Sequence, residues 1–125
     1  MRSDQEREVD YVHEAEDRPA MRGLPDRARM AFGQSIAMLQ WREPPENVPL
    51  WKPLHNFGPG VGELKRGDWR VVLSIEVDPK TIWIVCVFKK DSKSGSKMPK
   101  VHTEMIEARL KRLTRRLQSG PHIKH

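Results

Sequence analysis

The stretch VGELKRGDWRVVLSIEVDPKTIWIVCVF, residues 61–88, contains three predicted strands and two short turns. Along residues 69–77 apolar and polar side chains alternate, which is the period of a strand with one covered face. Residues 81–88 are apolar throughout, as is typical of a central strand covered on both faces. Because the turns at Gly67-Asp68 and at residues 78–80 are short, we predict an antiparallel meander.

Two longer helices are predicted on either side of this meander. Apolar residues at spacings of four, four and three predict a helix over residues 25–41. A second apolar stripe predicts a helix over residues 101–118, followed by the stop signal Gly120-Pro121. Residues 14–23 fit a short helix, and residues 6–13 fit a short first strand. The two stripes comprise Ala28, Phe32, Ile36 and Leu39, and Ile106, Leu110, Leu113 and Leu117.

The predicted order of elements is β-α-α-β-β-β-α, which indicates an α+β fold. We expect a largely antiparallel sheet with the helices packed against one face. A chain of 125 residues suits a single domain over residues 1–125, with residues 1–5 and 119–125 as flexible tails. Residues 42–60 contain five prolines and two glycines and are expected to form an irregular connection that packs through its aromatic residues.

The composition excludes several classes of protein. The single cysteine, Cys86, rules out a disulfide framework and any multi-cysteine metal site, and its place in an apolar strand indicates a core residue. No apolar run approaches the roughly 18–20 residues of a membrane span, and the N-terminus has no secretory apolar stretch. We therefore expect a soluble cytoplasmic protein without a membrane partner.

The net charge of +6 is distributed unevenly along the chain. Residues 1–47 hold 10 acidic and 7 basic residues, whereas residues 48–125 hold 7 acidic and 16 basic residues. The second part therefore carries a net charge of +9. Such a pattern indicates either a polyanion partner or a solubilising surface.

Short motifs follow one another along this basic part of the chain. They are Lys52-Pro53-Leu54, Glu63-Leu64-Lys65, Trp69-Arg70, Phe88-Lys89-Lys90 and Ala108-Arg109-Leu110. In this order and spacing they resemble the RelE/HigB toxin superfamily, in its phage-derived branch. The resemblance covers about residues 22–113.

The resemblance implies a small bacterial or phage toxin of a type II toxin–antitoxin system. Members of this superfamily cleave messenger RNA, generally on the ribosome, and are neutralised by a helix-turn-helix or ribbon-helix-helix antitoxin, of which the helix-turn-helix type is favoured here. The acidic N-terminal segment and residues 118–125 do not match the pattern. Some members use a late tyrosine or histidine as the acid, whereas the only tyrosine here is Tyr11.

RNA can be cleaved without a metal or a cofactor, and we predict neither. The 2′-OH attacks the adjacent phosphate, and the protein has to orient the backbone, stabilise negative charge and transfer protons. Arginine binds a phosphate through its planar fork, and a crowded lysine with a lowered pKa can transfer a proton.

These residue types and the resemblance together predict the site. Arg70 is the expected stabiliser of the phosphate and the transition state. Lys65, which the predicted hairpin brings near Arg70 on an exposed face, and one of Lys89 or Lys90 are expected to transfer protons or stabilise charge. His102 is a candidate acid or base because its ordinary pKa is near neutrality. The residues expected to bind the RNA backbone are Lys93, Lys97, Lys100 and Arg66.

Each of these assignments has a structural alternative. Arg70 could be a solvated strand residue, and Lys89 and Lys90 could be gatekeepers that end an aggregation-prone strand. His102 could have a surface or capping role. Glu63 is interpreted as a structural partner of a nearby cation rather than as a catalytic base.

The chain as a whole also has alternative functions. It could be a non-catalytic protein on the same scaffold that binds RNA or the ribosome or regulates a partner. A weaker alternative is a DNA-binding protein that uses the basic last helix, although the apolar stripe of that helix has to dock on the protein itself. Among the tryptophans, Trp51 and Trp69 are the candidates for stacking on bases.

Overall fold

The computed structural model describes residues 6–90 and 97–123. Its strands are β1 (Glu8–Tyr11), β2 (Trp51–Pro53), β3 (Val61–Arg66), β4 (Trp69–Ser74) and β5 (Thr81–Lys89). Its helices are α1 (Glu14–Arg22), α2 (Asp26–Gln40) and α3 (Lys100–Ile123), with short 3-10 turns at Pro45–Asn47 and His55–Phe57. The α+β class is confirmed.

The strands form one sheet in the order β1-β5-β4-β3-β2. The β3-β4-β5 meander is antiparallel, as predicted, and β1 adds to the far side of β5 in parallel. β2 was not predicted, and it pairs with β3 so that Lys52 faces Glu63. The sheet is therefore largely antiparallel, as expected.

Helices cover both faces of this sheet. The core beneath α2 includes Phe32, Leu39, Leu64, Val71, Leu73 and Ile84. The core beneath α3 includes Val72, Trp83, Cys86, Phe88, Ile106 and Leu113. The expectation that the helices pack against one face was wrong. The central strand is apolar on both sides, so both of its faces have to be covered.

Some predicted boundaries also differ from the structure. β4 ends at Ser74 and not at residue 77. α3 continues to Ile123, past the predicted end at residue 118, so the Gly120-Pro121 stop signal does not end the helix. The predicted tail at residues 1–5 lies outside the described residues, as do residues 124–125 of the second tail.

Two further sequence expectations concern Cys86 and membrane-spanning segments. Cys86 is fully buried in the core, as predicted, and burial raises the pKa of its thiol. Within residues 6–90 and 97–123, no helix is both long and apolar enough to cross a membrane.

A buried ion pair joins α1 to α3 at the edge of β5, and sequence reasoning did not predict it. β1 stops beside Ile84, which accepts a hydrogen bond from the backbone of Val12 at 3.0 Å. Beyond that point Asp17 accepts a hydrogen bond from the backbone N–H of Val87, and Arg109 donates one to the carbonyl of Val85. Asp17 and Arg109 also bond to each other, so we call this pair the edge clamp.

Gly62 lies in β3 where a side chain has no room. A Cβ on Gly62 would overlap the indole of Trp51, whereas a Cβ on Gly33, in α2, would meet nothing within 4 Å. We expect Gly62→Ala to lower the free energy of unfolding by about 1–3 kcal/mol, because the rigid ring has to shift. Gly33→Ala should raise it by about 0.5–1 kcal/mol. Urea titrations of both variants test this, and equal midpoints would contradict it.

Candidate functional site

The sheet face beneath α3 carries charged residues at the end that adjoins the Gly67-Asp68 turn. In the register of the meander, Lys65 faces Arg70, and Arg70 faces Phe88. Side chains that face each other across antiparallel strands lie on the same face. The predicted approach of Lys65 to Arg70 is therefore present in the structure.

Arg70 is held tightly by its surroundings. Its side chain donates hydrogen bonds to the carbonyls of Gly67 at 2.7 Å and Trp69 at 2.9 Å, and its Nε lies 3.8 Å from a carboxylate oxygen of Glu63. Arg70 is only 5% exposed, so the expectation of an exposed face was wrong for this residue. The segment around Phe57 and the start of α3 packs over this face instead.

Glu63 is the buried carboxylate of this region. One of its oxygens is near Arg70, and the other, Oε1, accepts no hydrogen bond from any residue in the described part of the chain. A buried oxygen without a donor is energetically costly, so a hydroxyl or cation that entered the site would be stabilised there.

The structure distinguishes between the two lysines at the end of β5. Lys90 is only 9% exposed, and its backbone N–H bonds to the carbonyl of Asp68 at 2.6 Å. Desolvation lowers the pKa of Lys90, and the positive charge of Arg70 lowers it further. Lys89 is exposed and lies on the other face, with its Nζ 5.6 Å from the ring centroid of Trp69.

His102 lies in the first turn of α3 and stacks on Phe88, the cross-strand neighbour of Arg70. The two ring centroids are 3.9 Å apart and the rings are nearly parallel, at 16°. Partial burial lowers the pKa of His102, which favours the neutral imidazole at pH 7. The candidate acid or base thus contacts the strand residue that pairs with Arg70.

The other predicted RNA-binding residues are distributed around this site. Lys97 and Lys100 are exposed, with Lys97 just before α3 and Lys100 as its first residue. Arg66 is exposed, and its register position puts it on the opposite face, with Trp69. Lys93 lies outside the described residues.

We call the group of Lys52, Lys65, Arg70 and Lys90 the basic cluster. Lys52 was not predicted, and it joins the group because β2 pairs with β3 and because its charge reaches Lys90. These cations can bind a phosphate and stabilise its negative charge, and Lys90, with its lowered pKa, can exchange protons with it. Among residues 6–90 and 97–123, no group of three or more His, Cys, Asp or Glu side chains could hold a metal ion.

Comparisons with known proteins gave a match to a family model and matches to solved structures. A family model described as "Phage derived protein Gp49-like (DUF891)" matches residues 20–111. The chain is also similar to a chain in the crystal structure of the toxin–antitoxin complex RelBE2 from Mycobacterium tuberculosis, with 24% sequence identity and a TM-score of 0.46. That alignment covers 68% of this chain and 92% of the other. No curated protein matches the sequence significantly.

Proposed function

This chain belongs to the family of phage-derived Gp49-like proteins, and from that premise we propose that it is the toxin of a type II toxin–antitoxin system. Its activity in this proposal is that of a metal-independent endoribonuclease, which cleaves messenger RNA on the ribosome and so inhibits translation. The observation that carries the proposal is the basic cluster, which gathers Lys52, Lys65, Arg70 and Lys90 around the buried carboxylate of Glu63.

In this reaction the 2′-oxygen of the RNA attacks the adjacent phosphorus while the bond to the 5′-oxygen breaks. The products are a 2′,3′-cyclic phosphate and a 5′-OH. Lys65 and Lys52 are exposed and would contact the phosphate oxygens, and Arg70 supplies a fixed positive charge. These charges stabilise the additional negative charge of the transition state.

Proton transfer in the proposed reaction is assigned to side chains in and beside the basic cluster. The lowered pKa of Lys90 makes it the candidate base for the 2′-OH. The leaving 5′-oxygen would receive its proton from Lys65, whereas His102, whose lowered pKa favours the neutral imidazole, would be an alternative base. The exposed Lys97 and Lys100 would hold the flanking RNA backbone.

The partners in this proposal are messenger RNA, the ribosome and a cognate antitoxin of the helix-turn-helix type, all in the cytoplasm. The phage-derived branch that resembles HigB remains the proposed subgroup. The surface charge favours an RNA partner, because residues 48–125 carry the basic excess.

A second candidate function is non-catalytic binding of RNA or the ribosome on the same scaffold. One observation favours it: the Arg70 guanidinium already bonds to the carbonyls of Gly67 and Trp69 and lies near Glu63. An arginine that is occupied in this way has fewer donors left for a phosphate.

The test compares mapped transcript ends and growth after expression of the wild type, Arg70→Ala and Lys65→Ala, with and without the neighbouring gene. We expect the wild type to arrest growth and create new 5′-OH ends, the neighbouring gene to prevent this, and each substitution to lower cleavage about 10²-fold. Lys80→Ala, at the exposed far end of β5, is the control for lost charge.

Two results would contradict parts of this proposal. If both cluster variants create the same ends as the wild type, the site is misplaced. If the wild type binds RNA in a salt-dependent manner but creates no ends with ribosomes present, the non-catalytic function is the correct one.

A further inference from the structure

A second group of basic side chains lies on the opposite face of the same end of the sheet. Arg66 faces Trp69, and Trp69 faces Lys89 across the meander. Beside them is an open cleft of about 510 Å³. Its lining consists of Pro25, Arg27, Ala28, Arg66, Gly67 and Trp69. We call this the Trp69 cleft.

The side chains around the Trp69 cleft are available to a ligand. Arg27, Arg66 and Lys89 are exposed, and none of them forms an ion pair with a residue in the described part of the chain. The indole of Trp69 is half-buried and has the Lys89 ammonium 5.6 Å from its centroid. The cleft thus combines a planar aromatic surface with cations.

Nearby acidic groups do not cancel this charge. Asp26, next to Arg27 in α2, is paired with Arg29 at 2.7 Å. Asp68 is exposed in the turn and is a single negative charge beside three cations. The cleft therefore favours a negatively charged ligand.

We propose that the Trp69 cleft binds an unpaired nucleotide of the RNA strand on which the basic cluster acts. The base stacks on Trp69, and the flanking phosphates contact Arg27, Arg66 and Lys89. Aromatic side chains flanked by cations are the usual means of binding single-stranded nucleic acid. This inference rests on the proposed function for the identity of the strand, and it adds a contact on the other face of the sheet.

The positions of the two sites make a shared strand feasible. Residues 65 and 66, 69 and 70, and 89 and 90 are neighbours in their strands, and neighbouring side chains point to opposite faces. The basic cluster and the Trp69 cleft therefore adjoin the same edge, at the Gly67-Asp68 turn. A single strand that passes over this turn reaches both sites, whereas a duplex is too stiff to fold around it.

The test measures binding of a 2′-O-methyl RNA of about 12 nucleotides, a length within the range of known single-strand sites. This probe has no free 2′-OH, so binding is measured without cleavage. Trp69→Leu should weaken binding about ten-fold, which corresponds to about 1.4 kcal/mol, and Trp69→Phe should retain most of the affinity because it keeps a stacking ring.

Charge variants provide an independent measurement that does not disturb the core. Arg27→Glu should weaken binding and reduce its dependence on salt. Lys80→Glu is the matched control, since it makes the same charge change at the opposite end of β5, about 30 Å from Lys89 at roughly 3.3 Å per residue. A greater effect of Arg27→Glu than of Lys80→Glu supports the cleft even if Trp69→Leu fails to fold.

Other outcomes would overturn the inference. Equal affinities of the wild type, Trp69→Leu and Arg27→Glu for the RNA would exclude the cleft. The cleft would also be excluded if the same concentration of polyglutamate displaced the RNA from the wild type and from Trp69→Leu. These results are separable from the proposed function. Ribosome-dependent cleavage without any effect of Trp69 would leave the nuclease in place, whereas Trp69-dependent binding without cleavage would support the cleft alone.

Discussion

Replacing Arg109 with methionine is expected to lower the free energy of unfolding by about 3–5 kcal/mol, the typical cost of breaking a buried ion pair. Asp17 is only 1% exposed, so the substitution leaves its carboxylate in the interior, where it still accepts a hydrogen bond from the Val87 N–H. It also removes the hydrogen bond to the carbonyl of Val85 and the ion pair with Glu16. The Val85 carbonyl at the edge of β5 then loses the hydrogen bond that Arg109 donates.

Chemical denaturation monitored by far-UV circular dichroism measures this loss. Arg112→Met is the matched control, because Arg112 is exposed on the same helix and its removal should change the free energy by no more than about 0.5 kcal/mol. The double variant Asp17→Leu with Arg109→Met should recover part of the stability, since it leaves no uncompensated charge. A loss below about 1 kcal/mol in Arg109→Met would show that the clamp contributes little.

The second large effect concerns the proposed cleavage of RNA. Lys90→Met should lower the single-turnover rate of RNA cleavage by about 10²–10⁴-fold, the range expected when a positioned proton-transfer group is removed. Methionine keeps the apolar stem of the side chain, so the fold should persist. Lys80→Met serves as the control because it removes an equivalent charge at the exposed far end of β5.

The pH dependence of the cleavage rate tests whether Lys90 acts as a base. A base acts in its neutral form, so the rate should rise with pH and level off above the pKa of Lys90, which burial and Arg70 place below that of an ordinary lysine. The charge of Lys65 also lowers this pKa, so Lys65→Gln should move the rising part of the profile to higher pH. A wild-type rate in Lys90→Met, or an unchanged profile in Lys65→Gln, would exclude Lys90 as the base.

Local sequence patterns predicted the elements that depend on local interactions. Alternation within residues 69–77 and the short turns were sufficient for the β3-β4-β5 meander, and the helical spacing predicted α2. β2 has three residues and includes Pro53, and only its pairing with β3 distinguishes it from the surrounding loop. Its existence could not be predicted because the interaction that defines it is tertiary.

In the candidate site, too, only the features that depend on local structure were predicted. Lys65 and Arg70 are joined by a tight turn, so their approach follows from strand parity alone. The choice between Lys89 and Lys90 depends on the register between β4 and β5, which has an irregularity between Val72 and Leu73. A sequence does not show such a bulge, so both lysines stayed open until the structure separated them.

Burial was the property that the sequence predicted least well. Arg70 was expected on an exposed face, yet it is buried beside Glu63 and the Gly67 carbonyl. The contact between Asp17 and Arg109 spans 92 residues and has no periodic signal in the sequence. Arg109 was noted only as part of a motif in the resemblance, which did not indicate its partner.

The edge clamp also has a consequence for the order in which the chain folds during synthesis. Asp17 reaches Val87 across 70 residues, and Arg109 lies in α3, which is translated after β5. Until that helix leaves the ribosomal tunnel, the apolar strand β5 has an incomplete edge near Val85, and such an edge recruits other strands. The delay between synthesis of β5 and of α3 is therefore an interval in which the nascent chain can pair wrongly with other strands.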